Sequence, residues 1–151
     1  MTDVVAVDPS LAVAWIVTET HTPPARSLLI DWQHRGVRRI APALFASESA
    51  SAFRSYVRRG LFDVSAGAKG LAGLLTTVEI QPDDVVLAPR AFEIACALGA
   101  GRAYDSLYAA LAEREDCELW TGDQRFYNAA HVLFPWVHFV AEASFTAPPT
   151  P

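Results

Sequence analysis

The segment VVAVDPSLA, residues 4–12, combines a strand signal, an acid and a helix start. Its first four residues are apolar and mostly β-branched, which is typical of a short strand buried in a parallel sheet. Asp8 suits the cap of a helix and Pro9 suits the first helical position, so a helix is expected to follow at once. The segment predicts a β–α unit with a carboxylate at the carboxyl end of its strand.

Short strands and helices continue to alternate along the chain. Further strands are predicted at residues 39–41, 78–80, 118–121 and 137–140, and further helices at 23–34, 42–59, 65–77, 90–98, 103–115 and 126–130. This alternation indicates a three-layer α/β/α fold around a mostly parallel central sheet. Ligands of such folds bind at the carboxyl ends of the strands, and we expect the chemistry there.

Length and composition indicate one domain. A chain of 151 residues with 52% hydrophobic content can bury one core and is short for two. The domain is expected over residues 1–143, and residues 144–151, with three prolines, are expected to form a disordered tail. No apolar run approaches the roughly 20 residues of a membrane-spanning helix. Residues 1–7 do not resemble a secretory signal, so a cytoplasmic protein is expected.

Charge and cysteine content narrow the function classes. The formal net charge of −5 argues against a protein that holds nucleic acid along a broad basic face, so any nucleic-acid chemistry must be local. Cys96 and Cys117 show no spacing typical of a zinc site or a disulfide framework. Both are expected to be buried free thiols.

Four acids stand in positions where a charge needs a partner. Asp8 and Asp123 follow strand-like runs, and Glu48 and Asp105 lie within otherwise apolar helical patterns. Burying an unpaired charge costs several kcal/mol, and the single lysine, Lys69, is not near these positions. Magnesium and manganese prefer carboxylate oxygens, and such ions activate water for phosphodiester cleavage. The residues by themselves lead to an acidic pocket in which a metal ion is one way to relieve the charge.

Each acid also has a structural alternative. Asp8 and Asp123 are both placed to cap the helix that follows them. Glu48 could be a solvated helix residue, and Asp105 could pair with Arg102 three residues earlier. The sequence leaves these alternatives open.

The motifs around the four acids, taken in order, resemble those of PIN domains. VDPS at 7–10 resembles the opening strand and acid of the family, and Pro42 followed by Glu48 resembles its second acidic motif. YDSLYAALAE at 104–113 is similar to the third motif and TGDQRF at 121–126 to the fourth. The set covers residues 4 to about 128, in the order and spacing of VapC-type toxins from type II toxin–antitoxin systems.

This resemblance implies a metal-dependent ribonuclease. It implies that one or two Mg²⁺ or Mn²⁺ ions bind at Asp8, Glu48, Asp105 and Asp123, and that metal-activated water cuts single-stranded RNA. It also implies a homodimer and, for the toxin subgroup, inhibition by a small antitoxin protein docked beside the acids.

Four further residues are candidates for supporting roles. Ser10 and Thr121 match positions where the family often has hydroxyl groups, although a helix start and a strand explain them equally well. Arg102 and Arg125 flank the expected pocket and are candidate contacts to RNA phosphates, with solvated surface arginine as the alternative. No acid follows Asp123 directly, as one does in some family members.

Two other classes of function compete with the nuclease. A receiver or phosphatase-like domain also collects aspartates at strand ends, but it needs a lysine near the phosphoryl group, and Lys69 lies in an unsuitable Gly-Ala-Lys-Gly context. A catalytically inactive PIN-like scaffold that binds RNA or a protein partner is the non-enzymatic alternative. Retention of all four acids favours the enzyme.

Overall fold

A five-stranded, all-parallel sheet forms the centre of the chain. The structure is a computed structural model that describes residues 3–143. The strands are β1 (Val4–Val7), β2 (Arg38–Pro42), β3 (Glu79–Gln81), β4 (Glu118–Thr121) and β5 (Val137–Phe139), in the spatial order β3-β2-β1-β4-β5. With helices on both faces, this is the predicted three-layer α/β/α fold.

Seven α-helices connect the strands in the described part of the chain. They are α1 (Pro9–Ala12), α2 (Thr22–His34), α3 (Leu44–Arg58), α4 (Val64–Thr77), α5 (Asp84–Ala97), α6 (Tyr104–Arg114) and α7 (Gln124–Ala130). Short 3-10 helices occupy Val13–Trp15 and Val140–Glu142. Between residues 3 and 143, no helix has the length and apolar character needed to cross a membrane.

The strand order places a topological switch point between β1 and β4. From β1 the chain builds outward to β2 and β3 on one side, and later adds β4 and β5 on the other. Val7 of β1 is in register with Trp120 of β4, so the next residues, Asp8 and Thr121, lie side by side. Ligands of open α/β sheets bind in the crevice at this point.

Helix α6 packs directly on the sheet beside this crevice. It contacts β1, β2 and β4, and it also packs against α5. Three of its buried residues, Ala109, Ala110 and Ala112, are small, so the helix backbone can approach the strands closely. Tyr108 and Leu111 are the largest buried residues of the same helix. The position of α6 over the sheet fixes where its first turn, with Asp105, meets the crevice.

Helix α3 begins two residues later than predicted. Pro42 is the last residue of β2, and the helix starts at Leu44. The carboxylate of Asp84, at the start of α5, accepts hydrogen bonds from the backbone N–H groups of Ala43 and Leu44, at 2.7 and 3.0 Å. These bonds satisfy two of the four donors that a helix start leaves unpaired, so a distant residue defines where α3 begins.

Helix α5 is longer than predicted. The sequence placed its start at Arg90, after a proline, whereas it begins at Asp84 and contains Pro89. Proline removes one helical hydrogen bond, but Leu87, Ala91 and Ile94 lie on one face and are buried. Burial of this face outweighs the loss.

Two smaller predictions have different outcomes. Cys117 is a buried free thiol as expected, but Cys96 is exposed on α5, so the prediction for Cys96 was wrong. The predicted disordered tail lies outside the described residues.

Candidate active site

Asp8 is buried at the carboxyl end of β1, where three hydrogen bonds hold its carboxylate. Oδ1 accepts from the Ser10 hydroxyl at 2.6 Å and from the backbone N–H of Leu11 at 3.0 Å. Oδ2 accepts from the hydroxyl of Thr121 on the neighbouring strand. The residue is 5% exposed. Both predicted supporting hydroxyls therefore contact the first predicted acid.

The surroundings of Asp8 disfavour the ionised form of its carboxyl group. Burial raises the pKa of Asp8 from 3.8 to about 6, and the charge of Asp105 adds to this rise. The hydrogen bonds from Ser10, Thr121 and Leu11 act in the opposite direction and lower the pKa. No arginine, lysine or histidine within residues 3–143 forms an ion pair with Asp8. The charged form of this carboxylate would be stabilised by a cation.

The turn after β4 brings Asp123 to the same crevice. Its backbone N–H donates to the Thr121 hydroxyl at 2.9 Å, and that of Gly122 donates to the Ser10 hydroxyl at 2.9 Å. Asp123 Oδ1 caps α7 by accepting from the backbone N–H groups of Arg125 and Phe126. Its other oxygen, Oδ2, has no hydrogen-bond partner among the described residues.

Gly122 permits the close approach of the two segments. A Cβ atom at this position would lie 2.7 Å from the backbone oxygen of Ser10, closer than such atoms approach in proteins. Any larger residue would push the β4–α7 turn away from the start of α1. The glycine thus keeps the Asp8 and Asp123 segments together.

Glu48 is held by a tyrosine that the sequence did not identify as a site residue. The hydroxyl of Tyr108, on α6, donates to Glu48 Oε1, on α3, at 2.6 Å. Burial raises the pKa of the half-buried Glu48, the hydrogen bond from Tyr108 lowers it, and the charge of Asp105 raises it. Burial also raises the pKa of Tyr108, as do Glu48 and the negative charges of Asp8 and Asp105, so the phenol stays protonated and remains a donor.

Asp105 is electrostatically linked to all three other acids. Its charge raises the pKa of Asp8 and of Glu48, and Asp123 in turn raises the pKa of Asp105. Although the residue as a whole is exposed, burial of its carboxyl group is the main cause of its own raised pKa. Asp105 forms no ion pair or side-chain hydrogen bond with any other residue of the described chain, so the alternative of a pair with Arg102 is not observed.

The two candidate phosphate contacts are exposed and available. Neither the guanidinium of Arg102 nor that of Arg125 forms an ion pair within the described range. Arg125 follows Asp123 in the first turn of α7, and Arg102 precedes α6. Each is two or three residues along the chain from one of the four acids.

The donor set suits a hydrated divalent cation. Four carboxylates share one edge of the sheet, and burial and mutual repulsion raise the pKa of three of them. Among residues 3–143, no three acidic, histidine or cysteine side chains are close enough to ligate one ion directly. Magnesium usually retains several waters and takes only one or two protein carboxylates, so this wider spacing fits a water-rich coordination shell.

Two of the acids cap helices and still have acceptor sites left for a ligand. Asp8 caps α1 and Asp123 caps α7, as the structural alternative predicted. A carboxylate has two oxygens with two acceptor sites each, and neither cap uses all of them. Glu48 is only half-buried and Asp105 is exposed, but the charge of Asp105 raises the pKa of Glu48.

The positions of Tyr108 and Asp84 could not be recognised as important from the sequence. Both act on α3, from 60 and about 40 residues away in the chain. Tyr108 has one local signal: it lies three residues after Asp105 on the same helix, so the two share a face. That signal is ambiguous because buried tyrosines are common in helix cores.

Comparisons with known proteins agree with the observed fold. A family model, the PIN domain, matches residues 5–132. The fold is similar to that of PAE2754 from Pyrobaculum aerophilum, a crystal structure, with a TM-score of 0.67 and 21% sequence identity over 91% of this chain and 83% of that one. At this level of identity the similarity shows the fold alone. No curated protein sequence matches the chain.

Proposed function

Since this chain belongs to the PIN domain family, whose members are generally metal-dependent ribonucleases, we propose that it is an endoribonuclease that cuts single-stranded RNA with Mg²⁺ or Mn²⁺. The observation that carries the proposal is Asp8. It is a buried carboxylate with a raised pKa and no cation partner among the described residues, at the switch point of the sheet. Such a group is costly to fold unless a positive charge binds there.

Each site residue has a proposed task. Asp8 and Asp105 bind the ion, because the charge of Asp105 acts on Asp8 and neither has a cationic neighbour. Glu48 and Asp123 bind the waters of the ion. Ser10 and Thr121 orient the Asp8 carboxylate by donating to its two oxygens. When bound, Mg²⁺ or Mn²⁺ supplies a Lewis acid that stabilises charge on the phosphate and lowers the pKa of the attacking water.

Substrate positioning is assigned to the exposed arginines. Arg102 and Arg125 are exposed, form no ion pair among the described residues and lie two or three residues from an acid along the chain, and guanidinium groups bind phosphate oxygens through two parallel hydrogen bonds. Two local cations explain how a chain of net charge −5 binds a polyanion at one place only.

The biological role that we propose is that of a toxin in a toxin–antitoxin pair. The order and spacing of the four acidic motifs support this role. With it we propose that the protein is a homodimer, acts in the cytoplasm and is inhibited by a small antitoxin protein. The competing proposal is an inactive scaffold that binds RNA or a protein. A short antitoxin reading frame next to the gene, and growth arrest that is lost in Asp8→Ala, would favour the toxin.

The decisive experiment is cleavage of total RNA with and without Mg²⁺, with the cut ends mapped by sequencing. We expect cuts that require the metal and disappear in Asp105→Asn. The control is Asp63→Asn, which also removes one negative charge from a helix-associated aspartate but lies at the exposed cap of α4. Equal cutting by wild type and Asp105→Asn would refute the assigned role, and no cutting by the wild type would favour the scaffold.

A further inference from the structure

A cavity of about 280 Å³ adjoins the candidate active site. Ser10 connects the two, since its hydroxyl donates to Asp8 and the residue also lines the cavity. Gly122, whose backbone N–H binds the same hydroxyl, forms another part of the wall. The polar side chains that complete the lining are Glu19, His21 and Tyr56. None of these three has a role in the proposed hydrolysis.

The size and walls of the cavity suit one planar ring system. Sites for drug-sized ligands usually span about 300–1,000 Å³, so this cavity lies just below that range. Val13 and Ala52 give it apolar surface, and Tyr56 and His21 give it aromatic surface. The imidazole of His21 is held edge-on against Phe139, with ring centroids 5.2 Å apart. Aromatic and apolar walls of this kind stack unpaired bases of single-stranded RNA.

The polar groups of the cavity are arranged around a hydrogen-bond acceptor. The phenol of Tyr56 donates to Glu19 Oε2 at 3.3 Å, and burial and the charge of Glu19 raise the pKa of Tyr56, so the phenol remains a donor. Glu19 forms no ion pair with another residue in 3–143. Its second oxygen is therefore available, and Tyr56 limits the orientations of the carboxylate.

We propose that this cavity binds one base of the RNA beside the scissile phosphate, and that Glu19 makes guanine the preferred base. The proposal rests on the proposed ribonuclease function, because it names a specificity element of the same site. Guanine presents two adjacent donors, N1–H and the N2 amino group, which match the free Oε1 of Glu19 and the second acceptor site of Oε2. Cytosine and adenine offer a single amino group at that edge. Uracil has one N–H between two carbonyl oxygens, and a carboxylate repels those oxygens.

The first test measures binding without cleavage. Metal-free, ¹⁵N-labelled protein is titrated with guanosine 5′-monophosphate and, separately, with uridine 5′-monophosphate, and amide shifts are followed by NMR. We expect shifts at Ser10 and Gly122 and binding of the guanine nucleotide about tenfold tighter. Glu19→Gln should abolish this preference, because the amide replaces one acceptor by a donor. Equal affinities for the two nucleotides, or shifts confined to other residues, overturn the proposal whether or not the protein cuts RNA.

The second test maps cut sites. Wild-type cuts are expected to show a guanine at one fixed position beside the cleaved bond, and Glu19→Gln is expected to lower that enrichment about tenfold while cutting continues. The matched control is Glu142→Gln, which removes a carboxylate that also accepts from a tyrosine, Tyr127, at 2.7 Å but does not line the cavity. Metal-dependent cutting whose base preference is the same in all three proteins overturns the base subsite and leaves the nuclease assignment standing.

Discussion

Replacing Asp8 by asparagine should stabilise the metal-free protein at neutral pH. Asparagine has the same shape, its oxygen can still accept from Ser10 and Leu11, and its amide can donate to the Thr121 hydroxyl. The substitution removes only the charge. A pKa raised from 3.8 to about 6 corresponds to about 3 kcal/mol, which is the upper bound of the expected gain. For a chain of this length, each kcal/mol raises Tm by about 2–4 °C.

The gain in stability from Asp8→Asn should increase as the pH rises. Because the folded-state pKa of Asp8 lies above the unfolded value, the folded state binds more protons between pH 4 and 6, and wild-type stability falls as pH rises through this window. Asp8→Asn has no carboxyl group at this position, so its stability should not fall in this way. Its advantage should be largest at pH 7.5 and about 1 kcal/mol at pH 4.5.

The assay is urea denaturation of EDTA-treated proteins at the two pH values. Asp63→Asn is the control, since it changes a capping aspartate that is exposed and should gain nothing. Adding Mn²⁺ at 100 times its Kd should then stabilise the wild type by about 2.7 kcal/mol and Asp8→Asn much less. A destabilised Asp8→Asn at pH 7.5, or a gain that is equal at both pH values, would show that the buried charge of Asp8 does not destabilise the metal-free fold.

Three further substitutions test the parts that hold the site together. Gly122→Ala should place a methyl group against the backbone of Ser10, cost about 1–3 kcal/mol in thermal denaturation and reduce RNA cleavage more than any effect on folding explains. Tyr108→Phe should raise the pKa of Glu48, because it removes a hydrogen bond that lowers it, and the acid limb of the cleavage rate should move to higher pH; an unchanged profile would exclude this role. Asp84→Ala should cost about 1 kcal/mol, measured by urea denaturation, because the start of α3 loses its cap; a change within error would contradict the importance of that contact.

Most of the fold could be predicted from the sequence because the patterns that specify its strands and helices are local. Apolar runs such as residues 4–7 and 118–121 predict strands on their own, and helical spacing predicts α3, α4 and α6. The boundaries that were wrong depend on distant residues. Nothing near Pro42 shows that Asp84 caps the next helix, and nothing near Pro89 shows that its helix is held by burial against α6.

Part of the candidate site could also be predicted from the sequence. A parallel sheet brings the carboxyl ends of its strands to one edge, so the positions of Asp8 and Asp123 follow from the strand pattern. The contact between Tyr108 and Glu48 joins two helices, and the cavity beside Ser10 is formed by four separate segments. Neither follows from spacing along the chain, because both depend on how the helices pack over the sheet edge.

The arrangement around Asp8 links the stability of the fold to its proposed activity. Hydroxyl groups and a backbone N–H occupy positions on both carboxylate oxygens, yet burial still raises the pKa, so hydrogen bonds alone do not compensate for the lost hydration. Neutralising the charge within the protein would have required a lysine or arginine at the crevice, and that cation would compete with a metal ion for the same oxygens. An unpaired carboxylate instead weakens the metal-free fold and strengthens cation binding by a comparable free energy, because both follow from the same desolvation. A variant that introduces a cation at this crevice should therefore gain stability and lose metal binding together.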